Sequence, residues 1–210
     1  MSELKLSPKI VELMVSHICH DLVSPVGAIS NGIEFIEEMG DSVGADALSL
    51  ISNSCNQASV NLQCFRLAYG GAGSSGNITY GDIQSAFGNY IEGGRARLHW
   101  NINGGANMFP EGYMKVVLNV LMMSKEALPG DGDINVENLD GGNGVKISVT
   151  GGRVELKDGV EAAFTHKADV DDLTPRTVHA YMSRVFAKHF DIKLDMPVQE
   201  PSKIEFTVDW

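Results

Sequence analysis

Apolar residues return every three or four positions along the first seventy residues. On a helix of roughly 100° per residue, Ile18, Leu22, Pro25, Ile29, Ile33 and Ile36 fall within about 60° of one line. The spacing predicts one helix from Pro8 to Met39, with Ser7 as its N-cap and Pro8 at the first helical position. Gly40 to Gly44 supply a turn, and a second helix follows from Ala45 to Tyr69. Its apolar positions, Leu48, Ile51, Cys55, Ala58, Leu62, Phe65 and Tyr69, alternate in steps of three and four. That is a bundle seam sustained over three heptads. Two antiparallel helices cannot cover both of their apolar faces by themselves, so a four-helix bundle built from two copies is expected.

After Tyr69 the pattern changes. A Gly/Ser-rich stretch marks a boundary, giving a helical hairpin over residues 1–70, a linker over 71–77 and a second domain over 78–210. In that domain Ile83–Ile91 reads as a short amphipathic helix and Leu98–Ile102 as a strand. Glu111–Ala127 is a helix carrying the apolar runs Val116–Leu118 and Val120–Met123. Strands are predicted at Asp133–Glu137, Val145–Thr150 and Val154–Lys157, then a helix over Thr174–His189, then strands at Ile192–Met196 and Ile204–Val208. The pairs Gly104-Gly105 and Gly141-Gly142 read as hairpin turns. The fold class is α+β: a helical hairpin followed by an α/β sandwich with helices on one face of a mixed sheet.

Composition narrows the function. A net charge of -11 over 210 residues, with no basic recognition helix, excludes general nucleic-acid binding and a DNA-binding regulator. No apolar run reaches membrane-spanning length and no signal peptide opens the chain. Cys19, Cys55 and Cys64 stand in no pairing motif, which fits a reducing cytoplasm.

One residue of the first helix breaks its logic. His20 lies roughly 160° from the apolar line, on the solvent side, where a core histidine would not be. Val23, Ser24, Gly27 and Asn31 follow on the same outward face as a candidate partner-binding surface. Gly27, almost directly below His20, removes bulk where a partner would approach, although mid-helix glycine costs about 1 kcal/mol against alanine. Pro25 has no N–H to offer the carbonyl of Asp21, which loosens the helix near the histidine. Asp21 is a candidate to hold one ring nitrogen of His20 and fix its tautomer. The hairpin brings Leu62–Arg66 level with His20, making Arg66 a candidate phosphoryl or acid contact. A metal site at His17, Cys19 and His20 is not expected, because only the two histidines share a face and no further ligands cluster in the sequence.

The stretch His20-Asp21-Leu22-Val23-Ser24-Pro25 resembles the H-box of bacterial sensor histidine kinases, whose histidine carries a phosphoryl group. The order of elements in the second domain resembles those kinases' ATP-binding domain, but its nucleotide motifs are degenerate. The magnesium-bearing asparagine aligns with Met123 or Ser124, both poor ligands for Mg²⁺. Thr150, ahead of Gly151-Gly152, stands where an adenine-binding aspartate is needed. Leu173-Thr174-Pro175-Arg176-Thr177-Val178 replaces the glycine-rich phosphate lid. A kinase-like hairpin with a degenerate ATP domain resembles the ChpT-type histidine phosphotransferases of alphaproteobacteria. The match is sharpest at Cys19–Pro25 and Phe65–Gly70, and extends loosely through Val117–Pro129 and Gly151–Arg153 to His179–Tyr181. The resemblance implies a homodimeric phosphorelay shuttle working through phospho-His20. It would accept from the receiver domain of a hybrid histidine kinase and donate to downstream response-regulator receiver domains. It implies no ATP and no cofactor bound by this chain, with Mg²⁺ in the partner receiver. The competing classes are an ATP-dependent histidine kinase, opposed by the missing motifs, and a non-catalytic dimeric adaptor, which needs no exposed nucleophile.

Overall fold

The computed structural model describes residues 7–39, 44–102, 109–141 and 143–210. Two long helices, α1 (Pro8–Met39) and α2 (Gly44–Ala68), form the hairpin. The expected turn residues Gly40–Val43, the pair Gly104-Gly105, and Gly142 lie outside the described residues. A 3-10 turn at Gly71–Ser74 leads to α3 (Tyr80–Ile91), β1 (Ala96–Asn101) and α4 (Tyr113–Glu126). Then come β2 (Gly132–Asn138), β3 (Val145–Gly151), α5 (Val160–Phe164), α6 (Val178–His189), β4 (Lys193–Glu200) and β5 (Lys203–Asp209).

The five strands form one mixed sheet in the order β1-β2-β3-β5-β4, with β1 and β2 parallel and the other pairs antiparallel. Alternate residues point to opposite faces. Ile134, Val136, Val145, Ile147, Val149, Ile204, Phe206 and Val208 are buried on one face beneath the helices. The residues between them stay mostly half-exposed, as in a two-layer sandwich. Helix α4 is buried from Tyr113 to Ser124, the fate of a helix that is apolar all round. It starts at Gly112, whose φ of 76° is left-handed, and a Cβ there would run into the Phe190 ring.

Two expectations from the sequence need correcting, and one helix is additional to them. Val154–Lys157 is extended but is not a strand: Val154 N donates to Pro201 O at 2.8 Å and Glu155 N to Ala127 O at 3.0 Å, both outside the sheet ladder. Both edges of the neighbouring β3 are already occupied by β2 and β5, so there is nothing for it to pair with there. The last helix begins at Val178 rather than Thr174, because Thr174 and Thr177 close a turn in which Thr174 N donates to Thr177 Oγ1 at 2.9 Å. Helix α5, five residues long, has no counterpart in the sequence reading.

The hairpin is docked on the sandwich. Lys115 Nζ of α4 donates to the carbonyls of Tyr69 (3.3 Å) and Gly70 (2.8 Å), and Asn119 Nδ2 donates to Ala68 O at 2.8 Å. These bonds satisfy carbonyls that the end of α2 leaves without helical partners. Ile10 near the start of α1 packs on Val178, Met182 and Val185 of α6. Phe65 and Cys64 of α2 join the sandwich core.

Candidate functional site

The His20 side chain is 87% exposed. Its Nδ1 lies 3.1 Å from Asp21 Oδ1. A carboxylate only accepts, so Nδ1 donates the proton and Nε2 is left with the lone pair. Beside the histidine opens a cavity of about 460 Å³ between hairpin and sandwich. Helix α1 lines it with His20, Asp21, Ser24 and Pro25, and α2 with Gln57 and Asn61. The end of α3 contributes Tyr90 and Ile91 with the following turn Glu92–Gly94, and α4 contributes Lys125.

Pro25 explains how α2 is held here. The carbonyl of Asp21, deprived of a helical donor by the proline, accepts from Asn61 Nδ2 at 3.1 Å. Gln57 Nε2 in turn donates to Asn61 Oδ1 at 2.8 Å and fixes the orientation of the amide. The level of His20 on α2 is therefore Gln57–Asn61. Arg66 lies more than a turn further on, exposed in the last turn of α2 and outside the cavity lining. Val23, Gly27 and Asn31 do not line the cavity; Val23 is 68% exposed and the space over Gly27 is open to beyond 4 Å.

Lys125 is the site residue the sequence reading passed over. Its Nζ sits 4.0 Å from the centroid of the Tyr90 ring. Burial pushes its pKa below the ordinary lysine value, partly opposed by the negative charges of Asp21 and Glu126 and by Cys64. A cation so placed is available to an anionic group that enters the cavity. Its sequence signal lay in the stretch aligned with the nucleotide box. Met123 and Ser124 of that box are buried, and Ser124 Oγ donates into the helix at Val120 O (2.8 Å).

A second group assembles behind His20. His17, one turn before His20, meets Glu126 and His179, with their ligand-type atoms all within 4.8 Å of one another. His179 Nδ1 lies 3.2 Å from Glu126 Oε1 and its Nε2 lies 3.1 Å from Asn119 Oδ1. Burial, and then the neighbouring His179, hold the His17 pKa below the ordinary imidazole value. Burial pushes Glu126 up, but the His179 hydrogen bond and the charges of His179, His17 and Lys157 outweigh it and leave the carboxyl below its usual value.

This architecture has relatives. A family model for the histidine phosphotransferase C-terminal domain matches residues 80–202. The protein phosphotransferase ChpT of Brucella abortus (strain 2308) is 32% identical over 187 residues, covering 88% of each chain. A solved bacterial phosphotransferase superposes with a TM-score of 0.80 at 28% identity, over 98% of both chains. By the family match and the extent of that identity, the chain belongs to the histidine phosphotransferase family.

Proposed function

We propose that the chain passes a phosphoryl group between receiver-domain aspartates through His20, as an intermediate of a phosphorelay. The observation that carries this reading is the state of the His20 ring: 87% exposed, with Nδ1 tied to Asp21 and the Nε2 lone pair free. The Nε2 lone pair attacks phosphorus of the receiver's acyl phosphate in line. The N–P bond forms as the acyl O–P bond breaks, and the electron pair leaves with the aspartate carboxylate. Asp21 steadies the positive charge gathering on the ring, and Lys125 offsets negative charge on the transferring oxygens. Transfer onward is the same step in reverse.

The docking surface is the outer face of α1, with Val23, Ser24, Gly27 and Asn31, and its occupants are the receiver domain of a hybrid kinase and downstream response-regulator receivers. Mg²⁺ belongs to the receiver, and the chain works without ATP: the nucleotide-box positions Met123 and Ser124 are spent on core packing and on the helix backbone. The chain acts as a homodimer. Val11, Val15, Val26 and Ile33 of α1 and Leu48 and Leu62 of α2 are exposed apolar side chains of the hairpin. The working compartment is the cytoplasm, with Cys19, Cys55 and Cys64 all free thiols.

The test is phosphotransfer from a phosphorylated receiver domain to the wild type and to His20→Gln, with an ATP-only control. Label is expected on the wild type alone, with the melting temperature of His20→Gln little changed because the side chain is 87% exposed. Label from ATP would make the chain a kinase. Receiver binding without label would make it an adaptor.

A further inference from the structure

We propose that His17, Glu126 and His179 form a binding site for a divalent transition metal, zinc by its ligand set, that ties the hairpin to the sandwich. The three residues come from α1, α4 and α6, far apart in the sequence and brought together by docking of the two parts. Two imidazoles and one carboxylate, with a fourth position for water, are a recurrent zinc set. With metal–ligand bonds of about 2.0–2.1 Å, neighbouring ligands of a tetrahedral ion stand about 3.3 Å apart. His179 Nδ1 and Glu126 Oε1 already lie 3.2 Å apart. The remaining ligand atoms, within 4.8 Å, close on an ion by side-chain rotation.

The outer contacts fit the same role. A ligating histidine characteristically donates its other N–H to a carbonyl or carboxylate. The Nε2 of His179 faces the amide oxygen of Asn119 at 3.1 Å. That amide is fixed because its nitrogen donates to both Ala68 O and Lys115 O at 2.8 Å. The Nε2 of His17 is buried without a hydrogen-bond partner.

A buried imidazole nitrogen left unpaired is costly. Among the described residues, the buried side-chain polar atoms without a partner are His17 Nε2 and Tyr69 Oη. Both belong to this one cluster: the Tyr69 ring stands edge-on to His17 (6.3 Å) and to His179 (5.7 Å). An ion held by the three ligands supplies the partner that His17 Nε2 lacks. The cluster stands one turn behind His20, and Glu126 adjoins Lys125, so an ion here holds α1 and α4 in register around the acceptor cavity.

The test is a Zn²⁺ titration of chelator-stripped full-length protein in competition with a chromophoric chelator. It uses a Cys19→Ser/Cys55→Ser parent, so that the two exposed thiols do not bind metal. One equivalent per chain is expected, with affinity weakened by about 100-fold or more in His17→Gln and His179→Gln, above the 10–100-fold typical of losing a residue that only orients a ligand. Zn²⁺ is expected to raise the melting temperature of the parent and not that of His17→Gln. If His179→Gln fails to fold by circular dichroism, His17→Gln on the half-exposed face of α1 decides alone. Equal affinity in the parent and His17→Gln overturns the proposal, as does stoichiometric binding abolished by His20→Gln.

Discussion

His17 and His20 stand one turn apart on the same helix and are opposites chemically. His20 offers a free Nε2 to solvent, while the Nε2 of His17 is buried against the sandwich. The outward placement of His20 and its bond to Asp21 were legible from helical phase and adjacency, because both are local to one helix. Lys125 and the partners of His17 were not, since they reach the site only through docking of α4 and α6 on the hairpin. If Lys125 meets the transferring phosphoryl group, Lys125→Met is expected to slow transfer about 10–100-fold, the worth of one charge-assisted hydrogen bond. Its fold should stand, because the methionine keeps an apolar stem of similar length; rapid-quench transfer assays and thermal melts measure the two effects separately, and Lys125→Arg should recover part of the rate. Gly27 separates stability from docking in the same way. Nothing lies within 4 Å of a Cβ built there, so Gly27→Ala should stabilise the chain by about 1 kcal/mol in denaturant melts. Under the docking assignment it should also weaken receiver binding, as the methyl stands where the partner approaches.

Periodicity found most elements and both ends of α1, but not the ends of several others. The helix read from Ile83 begins at Tyr80, where Thr79 and Asp82 form a capping box, with Asp82 N donating to Thr79 Oγ1 and Thr79 N donating to Asp82 Oδ2. The apolar alternation of Val154 and Leu156 mimicked a strand because it reports burial: Val154 is part of the core, but its N–H donates to Pro201 O in the turn between β4 and β5 rather than to a strand. Pro197 sits in the edge strand β4 where the pairing register shifts between Asp195 and Val198, a place where a missing N–H is tolerated. Pro25 is the proline with mechanistic weight, since it exchanges a bond within α1 for one across the hairpin. Asn61→Ala in the wild type leaves the Asp21 carbonyl without its donor and should cost about 1 kcal/mol. In a Pro25→Ala background, the restored N–H of residue 25 satisfies that carbonyl, and the same substitution should cost much less. A double-mutant cycle by chemical denaturation measures the coupling, and additive effects would mean that Asn61 does not substitute for the missing helical bond.

The whole molecule is apolar on the outside in one place. Every exposed large hydrophobic among the described residues, from Val11 to Leu62, belongs to the hairpin. Along α2 two heptad rows run side by side: Ala47, Ser54, Asn61 and Ala68 are buried, and Leu48, Cys55 and Leu62, one position on, are exposed. The first row is used up inside the chain; the second, with Val11, Val15, Val26 and Ile33 of α1, forms the seam that a second copy would cover. Light scattering on the wild type is expected to give twice the chain mass of 22.6 kDa, and Leu62→Glu the single mass. Because Leu62 is 53% exposed within the chain, the variant should keep its sandwich and its cooperative melt at a lower, concentration-independent temperature. If the receiver needs only the residues that line the His20 cavity within one chain, that monomer should still accept a phosphoryl group from it. A monomer that no longer accepts it would mean that the partner copy completes the docking surface, and that transfer is a property of the bundle rather than of one hairpin.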